Sequence, residues 1–166
     1  MASHTQPLRD EHQELLPQIE QLHVVADLVG VVPTAELRPR LAAVSKFLVA
    51  HLIPHAHAED AALYPVVAEA MGAPQATATM RRDHVAVGQL TAELEDLQAT
   101  LGDAPLNHEQ ASALRRVLYG LYTLVSVHFA KEEEIYLPLL DRHLTPVSAR
   151  RMFAAMAAAA QAERHV

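Results

Sequence analysis

Cysteine and tryptophan are absent from this chain of 166 residues, and only three Phe and four Tyr are present. Without cysteine there are no disulfides, no zinc–thiolate sites, no iron–sulfur clusters and no thiol nucleophile. The scarcity of rings argues against a sheet protein, which usually carries more aromatic and β-branched residues. Positive charge is also in short supply. Thirteen Lys and Arg face twenty Asp and Glu, for a formal net charge of −7 with His neutral. A phosphate backbone and an anionic membrane surface both need a basic face, so neither nucleic acid nor membrane is an expected partner. No apolar run approaches the length of a membrane span. The start, Met1 to Pro7, lacks the apolar stretch of a secretory signal, and the expected compartment is the cytoplasm.

What is abundant points to helices. Half of the residues are apolar, 51 %, and Ala, Leu and Val dominate them; Ala and Leu are strong helix formers. Leu15, Ile19, Leu22, Val25 and Ala26 recur at helical spacing in a first segment, from about Leu8 to Val29. Pro17 is expected to kink this segment or move its start. After Pro33, with Thr34 as the expected N-cap, a second segment runs from about Ala35 to Met71. Its apolar stripe is interrupted by Pro39, Pro54 and Pro65, and a bend is expected near Pro54. Gly72 and Pro74 stop it. A third segment runs from about Gln75 to Leu101, and a fourth from an N-cap at Asn107 to about Leu144. Thr145-Pro146 then opens an Ala-rich helix to about Arg164. Four long helices on short connections predict an all-α, antiparallel up-down four-helix bundle (about 8–144) plus a C-terminal fifth helix (about 146–164), in a single domain over 1–166. The fifth helix is expected to dock on its own bundle, and the chain to be a monomer or weak homodimer.

Histidine is the unusual count: 11 against 13 Lys plus Arg. Six positions fall into a two-fold repeat. His12 lies in the first segment and His84 in the third. The second segment carries His55 and Glu59 followed by Pro65; the fourth carries His128 and Glu132 followed by Pro138. The interval from His12 to His55 is 43 residues and from His84 to His128 is 44, and each HxxxE His stands ten residues before its Pro. His and Glu four apart share a helix face. An acid four after a His is common by chance, and His23 with Asp27 is an instance. On a helix, His23 stands roughly 16 Å from His12, too far for one site. Two aligned copies are much harder to obtain by accident.

Four imidazoles and two carboxylates facing a core are costly unless a cation binds them. The symmetric assignment places His12 and His55 on one metal, His84 and His128 on another, and Glu59 and Glu132 as bridges. Nitrogen and carboxylate donors with open positions favour two iron ions over structural zinc, with manganese as the alternative. Around them, Glu11, Asp60, Asp83 and Glu133 read as solvated acids, with a bond to a ligand His on a neighbouring helix as the alternative; Tyr64 and Tyr136 read as packing residues rather than ligands, and His51 as a core histidine with a metal role as the alternative.

The paired HxxxE signatures, each followed by an aromatic residue and Pro, resemble those of the hemerythrin-like, or HHE cation-binding, family. That resemblance extends through about Leu144. It implies a four-helix bundle, an oxo- or hydroxo-bridged non-haem di-iron centre, and a small ligand: oxygen, hydrogen peroxide or nitric oxide. Oxygen carriers of the family add a His four residues after the third-helix His, where this chain has Gly88, and end the fourth helix with His and Asp five apart. The departure favours redox turnover of peroxide or nitric oxide, with an unknown redox partner, over simple carriage. Reversible oxygen or iron binding, or sensing without turnover, is the alternative. A structural reading of Gly88, close helix approach, stands beside these.

Overall fold

A computed structural model describes residues 3–163. Helix α1 (Gln6–Leu28) is followed by α2 (Thr34–Phe47), α3 (Ile53–Ala58) and α4 (Tyr64–Met71), then α5 (Ala78–Ala99), α6 (His108–Lys131), α7 (Leu137–His143) and α8 (Pro146–Glu163). No strand is present among the described residues. The helices α2, α3 and α4 are one continuous rod, joined by π turns at Leu48–Leu52 and Glu59–Leu63, and α6 continues into α7 through a π turn at Glu132–Tyr136. Four rods therefore form the expected bundle: α1 packs on α2 and α6, and α5 on α2 and α6. The fifth helix, α8, docks against α3 and the turn at Glu59–Leu63. Arg164, at the expected end of this helix, lies outside the described residues. No helix among the described residues is long and apolar enough to cross a membrane.

Local chemistry explains most boundaries. Asn107 caps α6 by accepting from Gln110 N, while its own N–H donates to Gln110 Oε1. This reciprocal pair satisfies two of the donors a helix start leaves open. Thr145 and Ser148 do the same for α8. Gly72 ends α4 at φ 62°, the left-handed conformation that glycine adopts without a Cβ penalty. Thr34 is the first residue of α2 rather than its cap, and its hydroxyl donates to Ala104 O.

Proline acts differently from expectation. Pro17 neither breaks α1 nor moves its start. It is exposed, so the carbonyl that loses its partner lies on the solvent face. Pro54, Pro65 and Pro138 each follow a π turn by two residues. A proline has no N–H for the carbonyl four residues back, and a turn with one extra residue takes up that mismatch without breaking the rod.

The core divides in two. One cluster includes Ile19, Leu22, Leu48, Leu52, Val87, Leu94, Val125 and Phe129. The other includes Leu8, Ala58, Leu63, Tyr64, Met80, Tyr136, Leu137, Met152 and Met156. Along each rod a polar residue stands between the two: His12 between Leu8 and Ile19, His55 between Leu52 and Ala58, His84 between Met80 and Val87, and His128 with Glu132 between Val125 and Tyr136. The bundle carries one polar layer between two apolar ones.

Candidate metal centre

That layer brings all six repeat residues together. His12, His55, His128, Glu59 and Glu132 are at most 4 % exposed, and both glutamates are fully buried. The two carboxylates are arranged alike. Glu59 turns Oε1 toward His55 Nε2, at 3.0 Å, and His12 Nε2, at 3.7 Å; its Oε2 faces His84 Nε2, at 3.3 Å, and His128 Nε2, at 3.9 Å. Glu132 turns Oε2 toward His12 Nε2, at 3.4 Å, and Oε1 toward His128 Nε2, at 3.5 Å. Each glutamate thus addresses both histidine pairs, one oxygen to each.

The donor set fits cations. His12, His55, Glu59 and Glu132 converge as one group, and Glu59, His84 and His128 as a second. His84 Nε2 and His128 Nε2 stand 3.0 Å apart, about the separation of two nitrogens at right angles on a metal with bonds of about 2.1 Å. His12 Nε2, His55 Nε2, both oxygens of Glu59 and Glu132 Oε2 are buried without a well-directed hydrogen-bond partner. Buried polar atoms without partners are rare and expensive, and five facing one another are accounted for by bound cations.

Behind every imidazole stands a carboxylate. His12 Nδ1 is 2.7 Å from Glu133 Oε1, His55 Nδ1 is 2.9 Å from Glu11 Oε1, His84 Nδ1 is 3.0 Å from Asp60 Oδ1, and His128 Nδ1 is 3.1 Å from Asp83 Oδ2. The four acids read from sequence as solvated are therefore positioning groups. Each is placed to accept the Nδ1 proton, so that in the neutral ring Nε2 turns its lone pair toward the centre. Arg9 pairs with Glu133, Lys131 with Asp83 and Arg81 with Asp60. Burial pushes Glu59 up, but the surrounding imidazoles, His55 first among them, hold its carboxyl well below the usual range. Burial likewise lowers His128, yet Glu132 and Glu59 push it up to about 10. Burial raises Asp83, and Lys131 and His128 bring it below its ordinary value.

Three sequence readings need correction. Tyr64 is not a mere packing residue. Its hydroxyl donates to Glu132 Oε1 at 2.7 Å and lies 3.1 Å from His128 Nε2 and 3.3 Å from His84 Nε2. In a regular helix, residues five apart point about 140° from each other; the π turn at Glu59–Leu63 brings Tyr64 back over Glu59. Tyr136, by contrast, donates to Ala76 O and stays out of the centre. His51 is exposed and lies against Phe47, because the π turn at Leu48–Leu52 removes it from the His55 face. Gly88 does not serve close packing: a Cβ there meets nothing within 4 Å. The decoy His23 is half exposed, beside Asp27 and the rings of Tyr119 and Tyr122. His165 lies outside the described residues.

An all-α bundle with a buried layer of histidine and glutamate defines a helical protein with a metal-binding core. The chain belongs to the hemerythrin HHE cation-binding domain family, whose model matches residues 3–140. Helix α8 lies beyond the matched part. Neither a curated relative nor a solved structure matches the chain.

Proposed function

We propose that this hemerythrin-family chain, as a single domain, holds two iron ions and binds and turns over a small oxidant such as hydrogen peroxide, oxygen or nitric oxide. His12 and His55 hold one iron and His84 and His128 the other, with Glu59 and Glu132 bridging. The observation that carries this reading is the direction of the two buried glutamates, each with one oxygen toward each histidine pair. Bound iron supplies the electron transfer; the chain supplies placement, a dry surround and a proton.

Placement comes from Glu133, Glu11, Asp60 and Asp83, which hold the four rings from behind. Dryness comes from Leu52, Ala56, Val87, Val125 and Phe129. With four of the centre's residues they line a cavity of about 10 Å³, close to the minimum for one water molecule. So small a space excludes bulky hydroperoxides. The proton is on Tyr64 Oη, which is aimed at Glu132; burial and then the two glutamates hold the phenol well above its ordinary range.

Metal content and the absorption spectrum of the same aerobic sample test the centre. About two irons per chain with oxo-bridged ferric bands are expected, and both are lost in Glu59→Ala or Glu132→Ala. Fewer than half a metal per chain after anaerobic ferrous reconstitution would sink the reading. Turnover is tested by oxygen release from hydrogen peroxide without added reductant. A stable oxygenated spectrum with no turnover would instead mark a reversible binder.

A further inference from the structure

The two metal positions are not equivalent, although the sequence repeat suggests that they are. The residue five after Glu59 is Tyr64, and the residue five after Glu132 is Leu137. Both follow a π turn and both are fully buried. One half of the repeat therefore presents a hydroxyl to the centre and the other presents a hydrocarbon.

The hydrogen bonding divides in the same way. At the His84 and His128 position, Tyr64 donates to Glu132 Oε1, with both imidazole nitrogens beside the phenol. At the His12 and His55 position no hydroxyl competes for the ligand atoms, although Glu59 Oε2, which faces the other position, is likewise without a well-directed partner. His12 Nε2, His55 Nε2, Glu59 Oε1 and Glu132 Oε2 are all without a well-directed partner. His55 Nε2 is close to Glu59 Oε1 but off the line of a hydrogen bond. A cation arriving at His12 and His55 displaces no bond, and it satisfies four costly groups at once. A cation arriving at His84 and His128 must first draw Glu132 Oε1 away from the Tyr64 hydroxyl.

We propose that metal loads in two separated steps, first between His12 and His55 and then between His84 and His128, and that the Tyr64 hydroxyl separates the steps by competing for Glu132. The proposal rests on the two-metal reading above. It concerns the chain's own donors and applies to any divalent ion that takes nitrogen and oxygen ligands.

The test is an anaerobic titration of metal-free protein with Co²⁺, followed by visible absorption and calorimetry. Two ions per chain are expected, with the second bound at least tenfold more weakly, about the effect of one hydrogen bond to a carboxylate. His12→Ala should remove the tight step, with His55→Gln reading the same step if that variant misfolds. His84→Ala should remove the weak step and leave the tight one. Tyr64→Phe should tighten the second step about tenfold and leave the first unchanged. Two indistinguishable steps in the parent protein, loss of the weak step in His12→Ala, or an unchanged ratio in Tyr64→Phe would each overturn the proposal. Uptake of one ion or none would overturn the two-metal reading instead.

Discussion

A carboxylate behind each imidazole turns a flexible ring into a directed donor, and the same economy of single residues holds outside the centre. Asp141 accepts from Ser3 Oγ at 2.8 Å, Thr5 N at 2.9 Å and Thr5 Oγ1 at 3.1 Å, and Arg9 lies 3.5 Å away. It ties the chain ahead of α1 to α7. Burial raises its carboxyl, but these partners bring it below its ordinary value. A depressed folded pKa means that its contribution is present above the unfolded value and lost as pH falls through the folded one. Asp141→Asn should therefore cost about 1–2 kcal/mol at neutral pH, and the gap from the parent should close on acidification below about pH 4. Thermal melts of both proteins at several pH values check this; a gap constant with pH would show that the charge has no part in it. Gly88 offers the opposite change. It sits inside α5 with open space around its missing Cβ, so Gly88→Ala should raise stability by about 0.5–1 kcal/mol. Denaturant unfolding reads the sign, and a loss of stability would restore the close-packing account of this glycine.

At the scale of elements, the sequence was most legible where the helix is regular. The apolar stripes and the two HxxxE pairs rest on the period of 3.6, which holds between the π turns, and the Asn107 and Gly72 caps rest on residue type. The misreadings of Tyr64 and His51 share one cause. Tyr64 directly follows a π turn and His51 lies within one, so a projection at 100° per residue puts each on the wrong side. The signal was in the sequence: Pro65 and Pro138 each stand six residues after a glutamate of the repeat, where a plain α-helix would have lost a hydrogen bond. For the four supporting acids the sequence leaves two readings, solvated or bonded to a ligand His, for another reason. Their partners lie on other rods, and no pattern within one helix reports a contact across the bundle. Helix α8 was placed correctly, and its grip rests on Met152 and Met156, which are 4 % and 5 % exposed. Met152→Ala should cost about 2 kcal/mol or more and lower the melting temperature accordingly. A melting temperature unchanged within a degree would mean that α8 adds little to the bundle.

At the scale of the whole molecule, a polar layer between two apolar clusters makes folding and metal binding one problem. The apolar clusters on either side can form without metal, since each is closed by its own leucines, valines and methionines. The layer between them cannot reach its lowest free energy alone, because five of its polar atoms have no well-directed partner in the chain. The bundle should therefore fold without metal and gain stability when metal binds. A ligand specific to the folded state adds about 2.7 kcal/mol at a free concentration one hundred times its Kd. For a chain of this size, that corresponds to a rise of roughly 5–11 °C in melting temperature. The rise should grow with metal concentration, reverse on chelation, and vanish in Glu132→Gln, whose amide cannot bridge as an anion. Circular dichroism melts with and without Co²⁺ separate the possibilities. A metal-free chain that is unfolded would make the centre a folding nucleus rather than a guest of a finished bundle. A folded chain whose melt ignores the metal would mean that the buried layer holds its charges by internal pairing alone.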